Sequence, residues 1–196
     1  MQLKILPQGW LDGACLLYAM VNASKSLLAP DLGLFAYVGR YRMHERWKRI
    51  ISITPSPVNY LDRTGSGLTL KPGVEQQVTD AFFEHVFALL NTHRQRFRVR
   101  RISGSAFRNK NDYSSVVVFA VNQAAHTACF SDADHWMVAV GREAGTLFLA
   151  CSGAHHFLPY QEERDPVTNH LYNNSMAVAQ LQHIYDEAIY QVEIIR

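Results

Sequence analysis

Cysteine is scarce in this chain of 196 residues: there are three, Cys15, Cys129 and Cys151. The count is odd, the spacings are wide and no C-x-x-C pair occurs, which argues against a disulfide framework and against a thiolate-ligated structural zinc site. Long apolar runs are also missing. None approaches the roughly 20 residues that cross a bilayer, so no membrane partner is expected. Residues 1–7 (Met-Gln-Leu-Lys-Ile-Leu-Pro) lack the layout of a signal peptide. A cytoplasmic location is expected, with export as an effector left open. Charge of one sign is lacking too: 19 Lys and Arg stand against 17 Asp and Glu, a net +2, too little to imply a polyanionic partner. There is no internal repeat and no low-complexity segment.

What is present suits a globular chain. Hydrophobic residues make up 48% and charged residues 18%, enough to fill a core and too apolar for disorder. A single domain over residues 1–196 is expected, with a helical half at about 1–95 and a sheet half at about 96–196. From 14 to 28 apolar residues fall on nearly every face, the mark of a buried helix. An amphipathic helix with a basic outer face is read over 34–51, a Pro- and Gly-rich loop over 52–73, and a helix over 74–91. Arg96, Arg98 and Arg100 alternate with Phe97 and Val99 as an exposed or edge strand. Strands follow at 115–121, 135–141 and 146–151, with 142–145 as a hairpin turn. Residues 153–174 read as loop, 176–187 as helix and 189–195 as a closing strand. Helices first and an antiparallel meander after them make an α+β layout.

Chemistry is suggested by the opening stretch, Gln8-Gly-Trp-Leu-Asp-Gly-Ala-Cys15, which runs into the buried helix. A cysteine in the first turn of a helix meets unpaired backbone N–H groups and the positive end of the macrodipole, which favour a thiolate. Nucleophilic catalysis by a thiol also needs a base and donors for an oxyanion. The Gln8 side-chain amide and the Cys15 N–H are candidate donors. His135, at the mouth of an apolar strand after Asp132-Ala-Asp134, is the candidate base.

The order Gln-x6-Cys opening a buried helix, then His opening a strand in the second half, then a hairpin to the next strand, resembles the papain-like cysteine peptidases. The stretches QGWLDGACLLYAMVNA and DHWMVAVG resemble more closely the bacterial papain-like, C39-like group, whose members often read Gln-Gly-x-Leu-Asp-Gly-x-Cys-Gly-x-Tyr-x-x-x-Asn-Ala. The resemblance implies a papain-like α+β fold with a cleft between its halves. It also implies a thiol protease in which Cys15 attacks, His135 carries the proton, and Gln8 with the Cys15 N–H holds the oxyanion.

Two positions depart from that pattern. Leu16 stands where such proteins often have Gly. The orienting Asn or Asp on the strand after the histidine falls at Cys151 or Ser152, neither a carboxylate nor an amide. Ser152 is the candidate acceptor for the ring N–H, with a backbone carbonyl or a water as alternatives, and Asp132, Asp134 and Asn122 as further candidates on the approach loop. The expected reaction is hydrolysis of a peptide or isopeptide bond in a protein or peptide substrate. Deamidation or acyl transfer at the same site, and a non-catalytic peptide-binding module, are the alternatives. No cofactor and no metal are expected, since Cys151 with His155-His156 is not a recognised zinc spacing. No aromatic shares the face of the arginine stripe, so nucleic acid is not expected as a partner.

Overall fold

In the computed structural model the described residues are 15–28, 48–50, 52–53, 74–91, 95–122, 124–128, 135–153 and 163–195. Helices α1 (Cys15–Leu28) and α2 (Val74–Leu90) precede strand β1 (Arg96–Arg101), the short helix α3 (Gly104–Arg108), β2 (Val116–Val121), β3 (His135–Glu143) and β4 (Thr146–Ala150). The two-residue strands β5 (Glu163–Arg164) and β6 (Leu171–Tyr172) pair with each other. β7 (Asn174–Ala177), a 3-10 helix (Val178–His183) and β8 (Ile184–Ile195) complete the chain. The six longer strands form one antiparallel sheet in the order β1-β8-β2-β3-β4-β7. This is an α+β architecture with helix packed on sheet.

The apolar run of β2 is buried throughout because both faces of the sheet are covered. Val116, Val118 and Ala120 join a cluster with α1 and α2. Val117, Phe119 and Val121 point the other way, into a second cluster with Phe107, Tyr113 and Leu181. Side chains of a strand alternate between faces, so a strand needs such a run only when it is covered twice. β3 divides likewise: Trp136, Val138 and Val140 face the helices, while Met137 and Ala139 face the second cluster.

Helix α1 packs mainly on β3 and also on β2. All its residues except Tyr18 are buried, as its all-round apolar pattern predicts. Its polar groups are spent on backbone: Ser24 Oγ donates to Val21 O at 2.8 Å and Ser26 Oγ to Leu171 O at 3.2 Å. Helix α2 buries Phe82, Phe83, Val86, Phe87 and Leu90, one apolar stripe at helical spacing. Phe83 stacks on Tyr190 of β8 with centroids 3.7 Å apart, and the Tyr190 hydroxyl donates to Asp80 Oδ1 at 2.8 Å. Helix and sheet are thus clamped at a single tyrosine.

Several sequence expectations need correcting. Residues 176–187 are not one helix. They divide among the end of β7, six residues of 3-10 helix and the start of β8. Val178, Leu181 and Ile184 recur every third residue, the period of a 3-10 helix, and with Met176 they face the second cluster. The strand read at 189–195 begins at Ile184. It does not close the sheet but lies inside it, paired to β1 and β2, so the sheet is more than a meander. The hairpin turn shrinks from four residues to two, Ala144 and Gly145, both at positive φ, which suits the right-handed twist of its strands. The supposed loop 153–174 contains β5 and β6. Residues 52 and 53 are helical, like 48–50; the rest of the readings at 34–51 and 52–73 lie outside the described residues. β1 is an edge strand, with Arg96, Arg98 and Arg100 exposed.

Candidate functional site

Cys15 is the first residue of α1 and is buried, in the cluster that also holds Trp136, the neighbour of His135. Among the described residues of the first turn of the helix none is acidic. His135 is the first residue of β3, opposite Val121 of β2. By alternation it leaves the strand on the side of Met137 and Ala139. The next strand delivers Cys151 to that side: β4 pairs with β3 through Val138 and Ala150, and Cys151 follows with its side chain in the second cluster.

That register sets Cys151 beside the imidazole, its Sγ 3.4 Å from His135 Nε2. Both residues are buried. Gly153 stands behind the ring, where a Cβ would sit 3.7 Å from Cε1 and Nε2. Burial pushes the His135 imidazole from its usual 6.5 down to about 4, because charge on the ring loses its hydration. At neutral pH the ring is uncharged, with one nitrogen donating and the other accepting.

Cys151 is itself fixed at both backbone groups. Its N–H donates to Asn173 Oδ1 at 2.8 Å, and Asn173 Nδ2 donates to its carbonyl at 2.8 Å. Asn173 lies between β6 and β7 and its own N–H donates to Leu149 O at 2.9 Å. One buried amide thus sets the position of the thiol that meets the histidine.

Of the four residues read as the catalytic set, Cys15, His135 and Ser152 are described and all three are buried. Gln8, Cys129, Asp132, Asp134, His155 and His156 lie outside the described residues. Ser152 was the candidate partner of the ring; the thiol before it makes the Nε2 contact. Asn122 Oδ1 accepts from Ala124 N at 2.9 Å, closing the turn after β2. Among the described residues no group of His, Cys, Asp and Glu could hold a metal ion, and no helix is long and apolar enough to cross a membrane.

Asn173 was missed. It is 22 residues from Cys151, and no local pattern links the two. Cys151 had a readable signal. A two-residue turn at 144–145 makes residues 151 and 135 near neighbours across the hairpin, one at the end of its strand and the other at the start. Comparison of the chain with known family models, with curated proteins and with solved structures finds no match.

Proposed function

We propose that the protein is a thiol-dependent hydrolase, a papain-like cysteine peptidase acting on a peptide or isopeptide bond. The observation that carries the proposal is a buried imidazole beside a buried thiol, at the first residue of the strand on which the helix opened by Cys15 is packed. In this reading Cys15 is the nucleophile and His135 the base. The Cys15 S–H bond breaks and its proton passes to His135 as sulfur adds to the scissile carbonyl carbon. The Cys15 N–H and the Gln8 amide stabilise the oxyanion. The imidazolium then gives its proton to the departing amine as the C–N bond breaks, leaving a thioester. Water adds with His135 taking its proton, the C–S bond breaks, and the thiol is restored. Hydrolysis of a glutamine side-chain amide would follow the same steps with ammonia leaving, and transfer would replace water by an amine.

A binding module is the second reading. The observation that favours it is that the group beside His135 Nε2 is a thiol, since a thiol stabilises an imidazolium less than a carboxylate does. Labelling by iodoacetamide at pH 6 separates the two, because an ordinary thiol, with a pKa of about 8.5, reacts slowly there. An activated site labels Cys15 faster than Cys129 and Cys151, and loses that advantage in His135→Ala. Equal rates at the three cysteines would rule out the enzyme. Mass shifts in candidate proteins treated with the active form would then identify cleavage, deamidation or transfer.

A further inference from the structure

We infer that the open edge of β1 is a docking site for an extended acidic peptide, which adds to the sheet as a further strand with its carboxylates against Arg98 and Arg100. The inference stands apart from the thiol chemistry. β1 ends the strand order, and among the described residues no strand pairs with its far side. Ile102 N donates to Ile189 O at 3.0 Å, in the same register as the β1–β8 pairs. Hydrogen-bonded pairs alternate along an antiparallel ladder, so Arg96, Arg98 and Arg100 turn their backbone groups toward β8, while Phe97, Val99 and Arg101 turn theirs outward. Phe97 agrees with this: its N–H donates to the side chain of Asn91, directly after α2, at 2.8 Å. Asn91 thus closes one end of the edge. Val99 and Arg101 present their N–H and C=O groups in the plane of the sheet, the pattern that a peptide strand matches.

Side chains select the occupant. Arg96, Arg98 and Arg100 are exposed on one face of the strand. Arg98 pairs with Glu193 at 2.8 Å, whereas Arg100 donates to the neutral Gln191 at 3.1 Å, so the stripe keeps an excess of positive charge. Residues of an added antiparallel strand opposite Arg98 and Arg100 fall in non-hydrogen-bonded pairs, where side chains approach most closely. Carboxylates there meet the guanidinium groups. The residue between them lies opposite half-buried Val99, on the side of the helices, where an apolar side chain fits. The edge therefore reads acidic, apolar, acidic. A second copy of the chain is disfavoured, because antiparallel pairing of two β1 strands sets arginine against arginine. Nucleic acid is disfavoured because the outward carbonyls of Val99 and Arg101 are acceptors, like the phosphates they would face.

The test uses the full chain and a synthetic peptide of about eight residues that alternates Glu and Val, long enough for one strand. Fluorescence anisotropy of the labelled peptide measures binding, and amide hydrogen exchange followed by NMR locates it. Binding is expected, with new protection at the Val99 and Arg101 amides, and it should weaken as salt rises from about 0.05 to about 0.3 M. Replacing both arginines, Arg98→Ala with Arg100→Ala, should lower the affinity about tenfold, the scale of two exposed cross-strand ion pairs. A peptide with Gln in place of Glu should lose as much. Val99→Pro removes an outward N–H and spares the β1–β8 ladder, so it should abolish most of the binding. If that variant does not fold, a peptide N-methylated at the residue opposite Val99 removes a hydrogen bond from the other side and should fail in the same way. No binding at millimolar peptide overturns the inference. So does binding that survives both Val99→Pro and N-methylation, which would make the stripe a patch for charge alone, and so does equal binding of an oligothymidylate. Concentration-dependent dimerisation in sedimentation that Val99→Pro abolishes would give the edge to a second copy and overturn the inference as well.

Discussion

Replacing His135 by leucine should flatten the dependence of stability on pH. In the folded chain burial depresses the His135 imidazole from 6.5 to about 4. Between these values the unfolded chain binds a proton that the folded chain does not, so stability rises with pH through this window. The contribution is complete above about pH 6.5 and is lost progressively as pH falls toward 4. At about 1.4 kcal/mol per pH unit the full span is about 3 kcal/mol, of which about 2.5 kcal/mol is lost between pH 7.5 and pH 4.5. Urea unfolding at the two pH values measures it. With a slope of about 1–3 kcal/mol per molar urea, the unsubstituted protein should lose roughly 1 M more of its midpoint than His135→Leu does. His170 is also depressed, mainly by burial, and contributes in the same direction to both proteins, so the difference between them isolates His135. Equal losses in the two proteins would mean that the ring titrates as if in water, and the buried contact with Cys151 would be wrong.

The same ring predicts the acid limit of reactivity. His135-dependent labelling of Cys15 should persist as pH is lowered and fall off only near pH 4, where the base becomes protonated; a rate profile with its acid limb near 6.5 would contradict this. Phe83, fully buried and stacked on Tyr190, anchors α2 to the sheet, so Phe83→Ala should cost about 3–5 kcal/mol in chemical unfolding. A Cβ at Gly141 would run into the Asp165 carboxylate and lie 3.1 Å from Phe148. Gly141→Ala should therefore lower stability by about 1–3 kcal/mol, visible as a depressed melting temperature. Arg98 pairs with Glu193 at 2.8 Å on the exposed edge strand, where such pairs contribute less than about 1 kcal/mol; Arg98→Ala should leave the urea midpoint nearly unchanged.

Residues whose pattern is set by their own neighbours were legible in the sequence. Residues 14–28 read as a buried helix because apolar residues occur on nearly every face, and 115–121 read as a strand because the run is almost wholly apolar; in the fold its residues 116–121 alternate into two cores. His135 was placed at a strand mouth from the step between a polar loop and an apolar run, and that is where it lies. The misreadings have short or ambiguous periods. Val178, Leu181 and Ile184 satisfy a helical spacing, yet the 12 residues of β8 find both β1 and β2 to pair with, and those tertiary hydrogen bonds override the local preference. Helix α3 has only five residues, too few to show a period, though Ser103 caps it by accepting from Ala106 N at 3.2 Å. Asn173 acts on Cys151 through two backbone groups, a tertiary contact that no residue type announces.

The two thiols among the described residues, both buried, face different physical demands, and this bears on which of them attacks. A nucleophile must change its charge and move by a fraction of a bond length toward carbon, so it needs a stabilised thiolate. Cys15 has the helix end for the first of these. Cys151 has apolar neighbours and a backbone tied at both its N–H and its carbonyl, conditions suited to holding another group still. A sulfur acceptor gives little support to a positive charge, and burial already disfavours one on His135. Such a ring is neutral in the resting protein and accepts a proton only while sulfur is forming its bond to carbon, when the developing thiolate and oxyanion compensate the charge. A carboxylate at position 151 would favour the imidazolium before any substrate arrives.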